Sequence, residues 1–330
     1  MGKPRKLHFP GTLQMVTTSV EEGILLPCNP LMQYLLQSAL ATAQTRYPVR
    51  IVAILISGTH IHLLLVVEDP NDVNQFMAHF KTEYAHMVNN LLGREKRTVW
   101  CEGYHSAPIL DVATALEKLA YVYTNPAKDA LEHSIEQYPG FSTWSVRKSG
   151  PTERKYKRIR RPALQKLPEH GLTLAEYRIL RDELRGDSTE TVTLKIEPDA
   201  WMDVYKIRRK KERRQFQEAL DQEVKRQEED YARKRVLNNK GVIGAERLRS
   251  EGFNLSYIPK RMSYKAWCFC SGDAELRKRF IAMVKQLIER GKEVVERWKL
   301  GDYSVRYPIG LYPPSMPKLA EPIRGYWSEI

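Results

Sequence analysis

Residues 49–68 read VRIVAILISGTHIHLLLVVE, and the pattern of this stretch decides the fold. Val49 to Ile56 is a β-branched run of strand length, Ser57-Gly58-Thr59 is a turn, and His60 to Glu68 is a second strand-like run. Two such runs across so tight a turn predict an antiparallel hairpin. Apolar residues Leu63 to Val67 follow the histidines directly, which marks the second run as a central strand. Side chains two apart on a strand leave the same face, so His60 and His62 project together and Ile61 takes the other side. Two imidazoles so placed can share one divalent cation. Taken alone, a His-x-His triplet is more often idle than a ligand. Beside a buried apolar run, both rings need a partner.

Working outward, Leu13–Thr18 reads as a strand and Asn29-Pro30 opens a helix that runs to about Tyr47, where Pro48 ends it. Beyond the hairpin, Asp69-Pro70-Asn71-Asp72 is a turn-and-cap cluster, and Val73–Leu92 has helical spacing closed by Gly93. Thr98–Leu110 is extended, and Asp111 caps a helix through Ala120 and Tyr121. The order β-α-β-β-α-β-α over residues 7–145 predicts an α+β fold, a ferredoxin-like antiparallel sheet with helices on one face. Residues 146–170 read as a basic linker. Residues 171–330 read as a charged, mainly helical accessory region, with helices expected at 171–185, from about Lys206 to Asn238, and from Asp273 to Leu300.

A second informative segment is Leu119-Ala-Tyr-Val-Tyr-Thr-Asn-Pro-Ala-Lys128. On a helix, Tyr121 and Asn125 lie about 40° apart and project toward one place. Tyr123 points the other way, as packing. Pro126 disfavours helical geometry at Asn125, so the helix is expected to end near there. Lys128 is expected to lie too far round to assist Tyr121.

Net charge is +13, from 53 Lys and Arg against 40 Asp and Glu, which favours polyanionic partners. Arg147, Lys148, Arg154, Lys155, Lys157, Arg158, Arg160 and Arg161 form one basic cluster; Lys206, Arg208 and Arg209 begin another. Both are candidate phosphate contacts. Tyr104, Trp100 and Tyr156 are candidates for stacking on bases, with core packing favoured for Trp100. The four cysteines, Cys28, Cys101, Cys268 and Cys270, are too few and scattered for a disulfide-framed secreted fold. No apolar run reaches the roughly 20 residues that span a bilayer, and the basic N-terminus lacks a signal peptide's apolar stretch. The expectation is a cytoplasmic protein with no membrane association.

His60-Ile61-His62 followed by Tyr121-Val-Tyr-Thr-Asn125-Pro126 resembles the HUH endonucleases, in particular the REP-associated tyrosine transposases. Trp100-Cys-Glu102-Gly103-Tyr104 sits where that family has its Trp-x-Glu/Gln-Gly stretch, and Tyr138-Pro-Gly-Phe-Ser142-Thr-Trp144 echoes the end of its domain. The resemblance covers about residues 8–145. It departs at Ser57-Gly58-Thr59, where the family has Pro-Asn or Pro-Glu, and in the long C-terminal extension. It implies His60, His62 and Asn125 as ligands of Mg²⁺ or Mn²⁺, Tyr121 as nucleophile, and single-stranded or hairpin DNA as partner. The implied activity is metal-dependent cleavage and strand transfer through a 5′-phosphotyrosine, as in transposition. The alternative is a domesticated, non-cleaving binder of single-stranded or hairpin nucleic acid. Relaxases place the tyrosine before the histidine pair, whereas here it follows. Oligomeric state is open between monomer and dimer.

Overall fold

The computed structural model describes residues 7–21, 23–95, 97–150, 152–159, 172–186, 190–257, 271–311 and 314. The first part of the chain runs β1 (Leu13–Ser19), β2 (Gly23–Leu25), α1 (Pro30–Arg46), β3 (Arg50–Ile56), β4 (His60–Val66), α2 (Pro70–Leu91), β5 (His105–Ile109) and α3 (Val112–Lys128). β1, β3, β4 and β5 form one antiparallel sheet in the order β3-β4-β1-β5. With α1 and α2 as crossovers this is the ferredoxin-like arrangement that the element order predicts. The expected caps are present. Asn29 Oδ1 accepts from Met32 N at 3.0 Å, Asp69 Oδ1 from Asn71 N at 2.7 Å, and Asp111 Oδ1 from Thr114 N at 2.7 Å.

Alternation along the strands gives the sheet two apolar faces. Val16, Ile54, Ile56, Ile61, Leu63 and Leu65 are buried with α1 and α2 in one cluster. Leu13, Leu55, Leu64 and Val66 are buried with α3 in another. On β3, Val52 and Ala53 fall consecutively on the α3 side, because the β3–β4 register shifts between Ile51 and Ala53 and inserts one residue. The single-face expectation therefore holds for α1 and α2. The third helix, α3, closes the opposite face, because the sheet is apolar on both sides and neither side can stay in water.

β3 is an edge strand, and the chain itself covers it. Ile56 N donates to Phe141 O at 3.0 Å, Thr143 N to Ile54 O at 3.0 Å, and Glu197 N to Ile51 O at 2.7 Å.

The later elements are α4 (Trp144–Lys148), β6 (Glu153–Lys157), α5 (Leu174–Gly186), β7 (Thr191–Lys195), α6 (Ala200–Val204), α7 (Lys210–Leu237), α8 (Ala245–Ser250), β8 (Asn254–Tyr257) and α9 (Ala274–Lys299). The expected linker therefore contains the end of α4 and the whole of β6. Its alternating Tyr156 packs inward and β6 pairs antiparallel with β7, while residues 160–170 lie outside the described ones. β2 pairs with β8. Leu220 and Val224 of α7 are buried in the same cluster as α3. Among the described residues, no helix is long and apolar enough to cross a membrane.

Because α7 shares a core with α3, Leu220→Ala should cost about 2–5 kcal/mol of whole-chain stability. Urea unfolding followed by circular dichroism and by tryptophan fluorescence should then give one coincident, shifted transition. A separate early transition would show that the accessory helix is only loosely attached.

Candidate active site

Register places the histidines. Across β1 and β4, Thr17 faces His62 and Ser19 faces His60. Thr17 Oγ1 lies 2.9 Å from His62 Nδ1, and Thr59 Oγ1 lies 2.9 Å from His60 Nδ1. With both Nδ1 atoms engaged, Nε2 is the nitrogen left on each ring, and His62 Nε2 is buried without a hydrogen-bond partner among the described residues. The two ring centroids stand 4.6 Å apart at an interplanar angle of 75°.

Helix α3 brings the remaining groups. The Tyr121 ring lies edge-on to His62 at 5.5 Å between centroids. Asn125 is fully buried, and neither its Oδ1 nor its Nδ2 has a hydrogen bond of good geometry. Its carboxamide still sits close enough to His60 to favour the protonated ring. A buried amide left unsatisfied costs about 1–3 kcal/mol. An orphaned amide beside an orphaned imidazole nitrogen is a donor set that suits one divalent ion. No group of three or more His, Cys, Asp and Glu poised for a metal occurs among the described residues; the third candidate ligand here is an amide.

Two expectations about this helix are corrected. α3 does not end at Asn125 but runs through Pro126 to Lys128, and Asp129 N donates to Asn125 O at 2.9 Å beyond it. Lys128 is not too far round. Seven residues advance about 700°, within about 20° of two whole turns, and Nζ donates to the Tyr121 hydroxyl at 2.9 Å. That ammonium also lies 4.7 Å from the centre of the Tyr121 ring. Tyr123 packs away from the site as expected, with its hydroxyl 3.1 Å from Thr143 Oγ1.

The electrostatics favour neutral imidazoles. Burial holds the His62 pKa well below its ordinary value, and the charges of His60 and Lys128 add to this. Burial also lowers His60, assisted by Lys128 and opposed by Asp129 and Asn125. For Lys128, burial works against the ammonium, but hydrogen bonding to Tyr121 and its charge, with Asp129 and Tyr231, outweigh it and raise the pKa. Behind α3, Thr124 Oγ1 donates to Gln227 Oε1 of α7 at 2.8 Å. A cleft of about 240 Å³ opens between the two helices, lined by Tyr121, Gln227 and Tyr231 among others. Nothing in the sequence pattern linked α7 to the site; only its buried pair Leu220 and Val224 could have signalled the packing.

Residues 29–125 match the family model described as "Transposase IS200 like". This segment takes in both histidines, Tyr121 and Asn125, and the family agrees with the resemblance carried by those residues. No curated protein matches the chain. Among solved structures, a REP-associated tyrosine transposase bound to a REP hairpin is 17% identical, with a TM-score of 0.40, over 45% of this chain and 86% of that one. A tRNA(His) guanylyltransferase from Saccharomyces cerevisiae is 10% identical, with a TM-score of 0.31, over 39% of this chain and 64% of that one. A putative transposase from Deinococcus radiodurans R1 is 15% identical, with a TM-score of 0.24, over 37% of this chain and 95% of that one.

The basic clusters divide. Arg147 is buried, ion-paired with Asp221 and stacked 4.4 Å over Trp144, and Lys148 reaches the same carboxylate at 2.5 Å. Both are tied up in holding α4 to α7, so neither is a free phosphate contact. Arg158 pairs with Glu190 at 3.2 Å. Lys155, Lys206, Arg208 and Arg209 are exposed, and Arg154 and Lys157 are half-buried. Arg160 and Arg161 lie outside the described residues, as do Cys268 and Cys270. Of the stacking candidates, Tyr156 and Trp100 are buried in the core, and the half-buried Tyr104 donates to Asn74 Oδ1 at 2.5 Å.

The sign of the histidine shifts sets a pH dependence. Above about pH 6.5 the rings are neutral folded or unfolded and contribute nothing. Below it the unfolded chain takes up protons that the buried rings refuse, so stability falls with pH. Urea midpoints between about pH 7.5 and 5 should fall less steeply for His60→Asn/His62→Asn than for the wild type. Parallel curves would sink this account of the pair.

Proposed function

We propose that this chain nicks and rejoins single-stranded or hairpin DNA, as in transposition, with Tyr121 as nucleophile. The observation that carries the reading is the convergence of the Tyr121 ring, 5.5 Å from that of His62, with an unpartnered His62 Nε2 and the orphaned carboxamide of Asn125. The family match over residues 29–125 supports it.

His60, His62 and Asn125 would hold Mg²⁺ or Mn²⁺. Such an ion, when bound, supplies charge withdrawal from the phosphate oxygens of the scissile bond. The chain's own residues do the rest. Thr17 and Thr59 hold the ring Nδ1 atoms and so orient both imidazoles. Helix α3 positions the phenol for in-line attack. Lys128 is protonated and can only donate, so the phenolic proton passes to water while the ammonium faces the oxygen on which negative charge grows. The Tyr121 oxygen bonds to phosphorus, the bond to the 3′-oxygen breaks, and that oxygen leaves as a hydroxyl after taking a proton from water. The phosphotyrosine remains on the 5′ side. Attack by another 3′-hydroxyl on the same phosphorus reverses the step and joins new ends without ATP. Lys155, Lys206, Arg208 and Arg209, exposed on the surface, are proposed phosphate contacts.

Incubating end-labelled hairpin DNA carrying single-stranded flanks with the protein and Mn²⁺ should give a covalent adduct on a denaturing gel. The adduct should vanish in Tyr121→Phe and His60→Ala. Lys128→Met should slow its formation about 10²-fold without weakening DNA binding. An adduct that persists in Tyr121→Phe defeats the assignment, and DNA binding without any adduct leaves a non-cleaving binder.

A further inference from the structure

Apart from the candidate active site, one pocket has the makings of a binding site. It encloses about 280 Å³ where the start of α1 (Gln33, Tyr34), β6 (Tyr156), α5 (Arg178, Arg181) and α8 (Arg249) meet. No Asp or Glu lines it. Arg181 is engaged with Asp182 at 2.9 Å. Arg178 and Arg249 are exposed, and neither has an ion-pair partner among the described residues. Of their basic neighbours, Arg185 shares the single Asp182 carboxylate with Arg181 at 3.2 Å, and Arg247 lies 3.9 Å from Glu251. Leaving two guanidinium groups unpaired beside a third concentrates positive charge in one concave place.

The opposite wall is aromatic and fixed. The rings of Tyr34 and Tyr156 stand 5.8 Å apart. Their hydroxyls are committed elsewhere, Tyr34 to Lys157 O at 3.1 Å and Tyr156 to Gln37 Oε1 at 2.5 Å, so the rings are held in set orientation. Tyr156 is buried and backs the half-buried Tyr34, whose ring centre lies 5.5 Å from the Arg185 guanidinium. Burial pushes the Cys28 thiol up to about 12, so it adds no negative charge to the lining. Position ties the pocket to the site. Cys28 lines it and neighbours Tyr138, whose hydroxyl donates at 2.7 Å to Ile56 O, the last residue of β3 before the turn into His60.

We propose that this pocket binds one phosphorylated nucleotide of the DNA strand, its phosphate on Arg178 and Arg249 and its base or sugar against Tyr34. Arginine forks suit phosphate oxygens, and aromatic walls accept any base. Three of the four elements that build it (β6, α5 and α8) lie outside the segment matched by the family, so the accessory region would extend the strand's track beyond the catalytic sheet. The proposal rests on the DNA reading above for the source of the nucleotide.

The test uses full-length Tyr121→Phe protein and a labelled single-stranded oligonucleotide, with anisotropy read at several salt concentrations. For Arg178→Ala/Arg249→Ala, the slope of log affinity against log salt should fall by about 0.7 for each phosphate that the variant no longer neutralises, with affinity down roughly tenfold. Arg178→Gln alone, at a solvated position, should give a smaller change of the same sign. Unchanged slope and affinity in both variants overturn the proposal. In calorimetry, nucleoside 5′-monophosphates should bind the unmodified pocket and not the double variant. If they do so while the oligonucleotide slope stays fixed, the pocket takes free nucleotides and its place on the strand's path is overturned. Failure of the nuclease reading is separate: it shows as absence of a wild-type adduct, whatever the slopes do.

Discussion

The chemistry available here depends on keeping two imidazoles uncharged and side by side on a buried sheet face. Burial disfavours the imidazolium on both rings, and each ring's charge would disfavour the other's. What makes the arrangement stable is the register of β1 against β4. It sets Thr17 opposite His62, and it keeps Ile61, Leu63 and Leu65 in the α1–α2 core while Leu64 and Val66 meet α3. A slip of one residue would exchange the faces, driving both histidines into an apolar layer and three branched side chains out of it. The pairing register of β4 with β1 thus fixes the direction of its two polar residues.

The second requirement is met by a single helix. On α3, Tyr121, Asn125 and Lys128 share one face, Tyr123 fills the core behind, and Thr124 reaches α7. Lys128 links the two halves of the site. Its charge depresses both imidazole pKa values while its ammonium donates to the phenol. One cation therefore both helps keep the rings free of protons and holds the Tyr121 hydroxyl. The helix is held from behind by the accessory region, so the position of the tyrosine depends on residues far outside the matched segment.

Much of this was legible in residues 49–68 and 119–128. Two strand-length apolar runs across a tight turn announced the hairpin, the caps at Asn29, Asp69 and Asp111 announced the helices, and the i, i+4 spacing joined Tyr121 to Asn125. What was misread has physical causes. The proline rule argued for a helix end at Asn125, yet hydrogen bonding resumes beyond Pro126. Lys128 was set aside although seven residues on a helix return nearly to the starting azimuth. Placing α3 on the far face needed the three-dimensional fact that β3 and β4 are apolar on both sides, which their near-continuous hydrophobic runs do state. The pairing of Arg147 and Lys148 with Asp221 was beyond any local reading, since a distant carboxylate decides whether a basic side chain is free.

The covered rim of the sheet has a consequence for assembly. Backbone groups of Ile51, Ile54 and Ile56 are already bonded to residues 197, 143 and 141 of the same chain. A second copy approaching β3 would find these donors and acceptors taken, so two molecules cannot fuse their sheets into one continuous ribbon along that border. A homodimer that extends the sheet would have to use its other edge, β5, so its symmetry axis would lie away from β3.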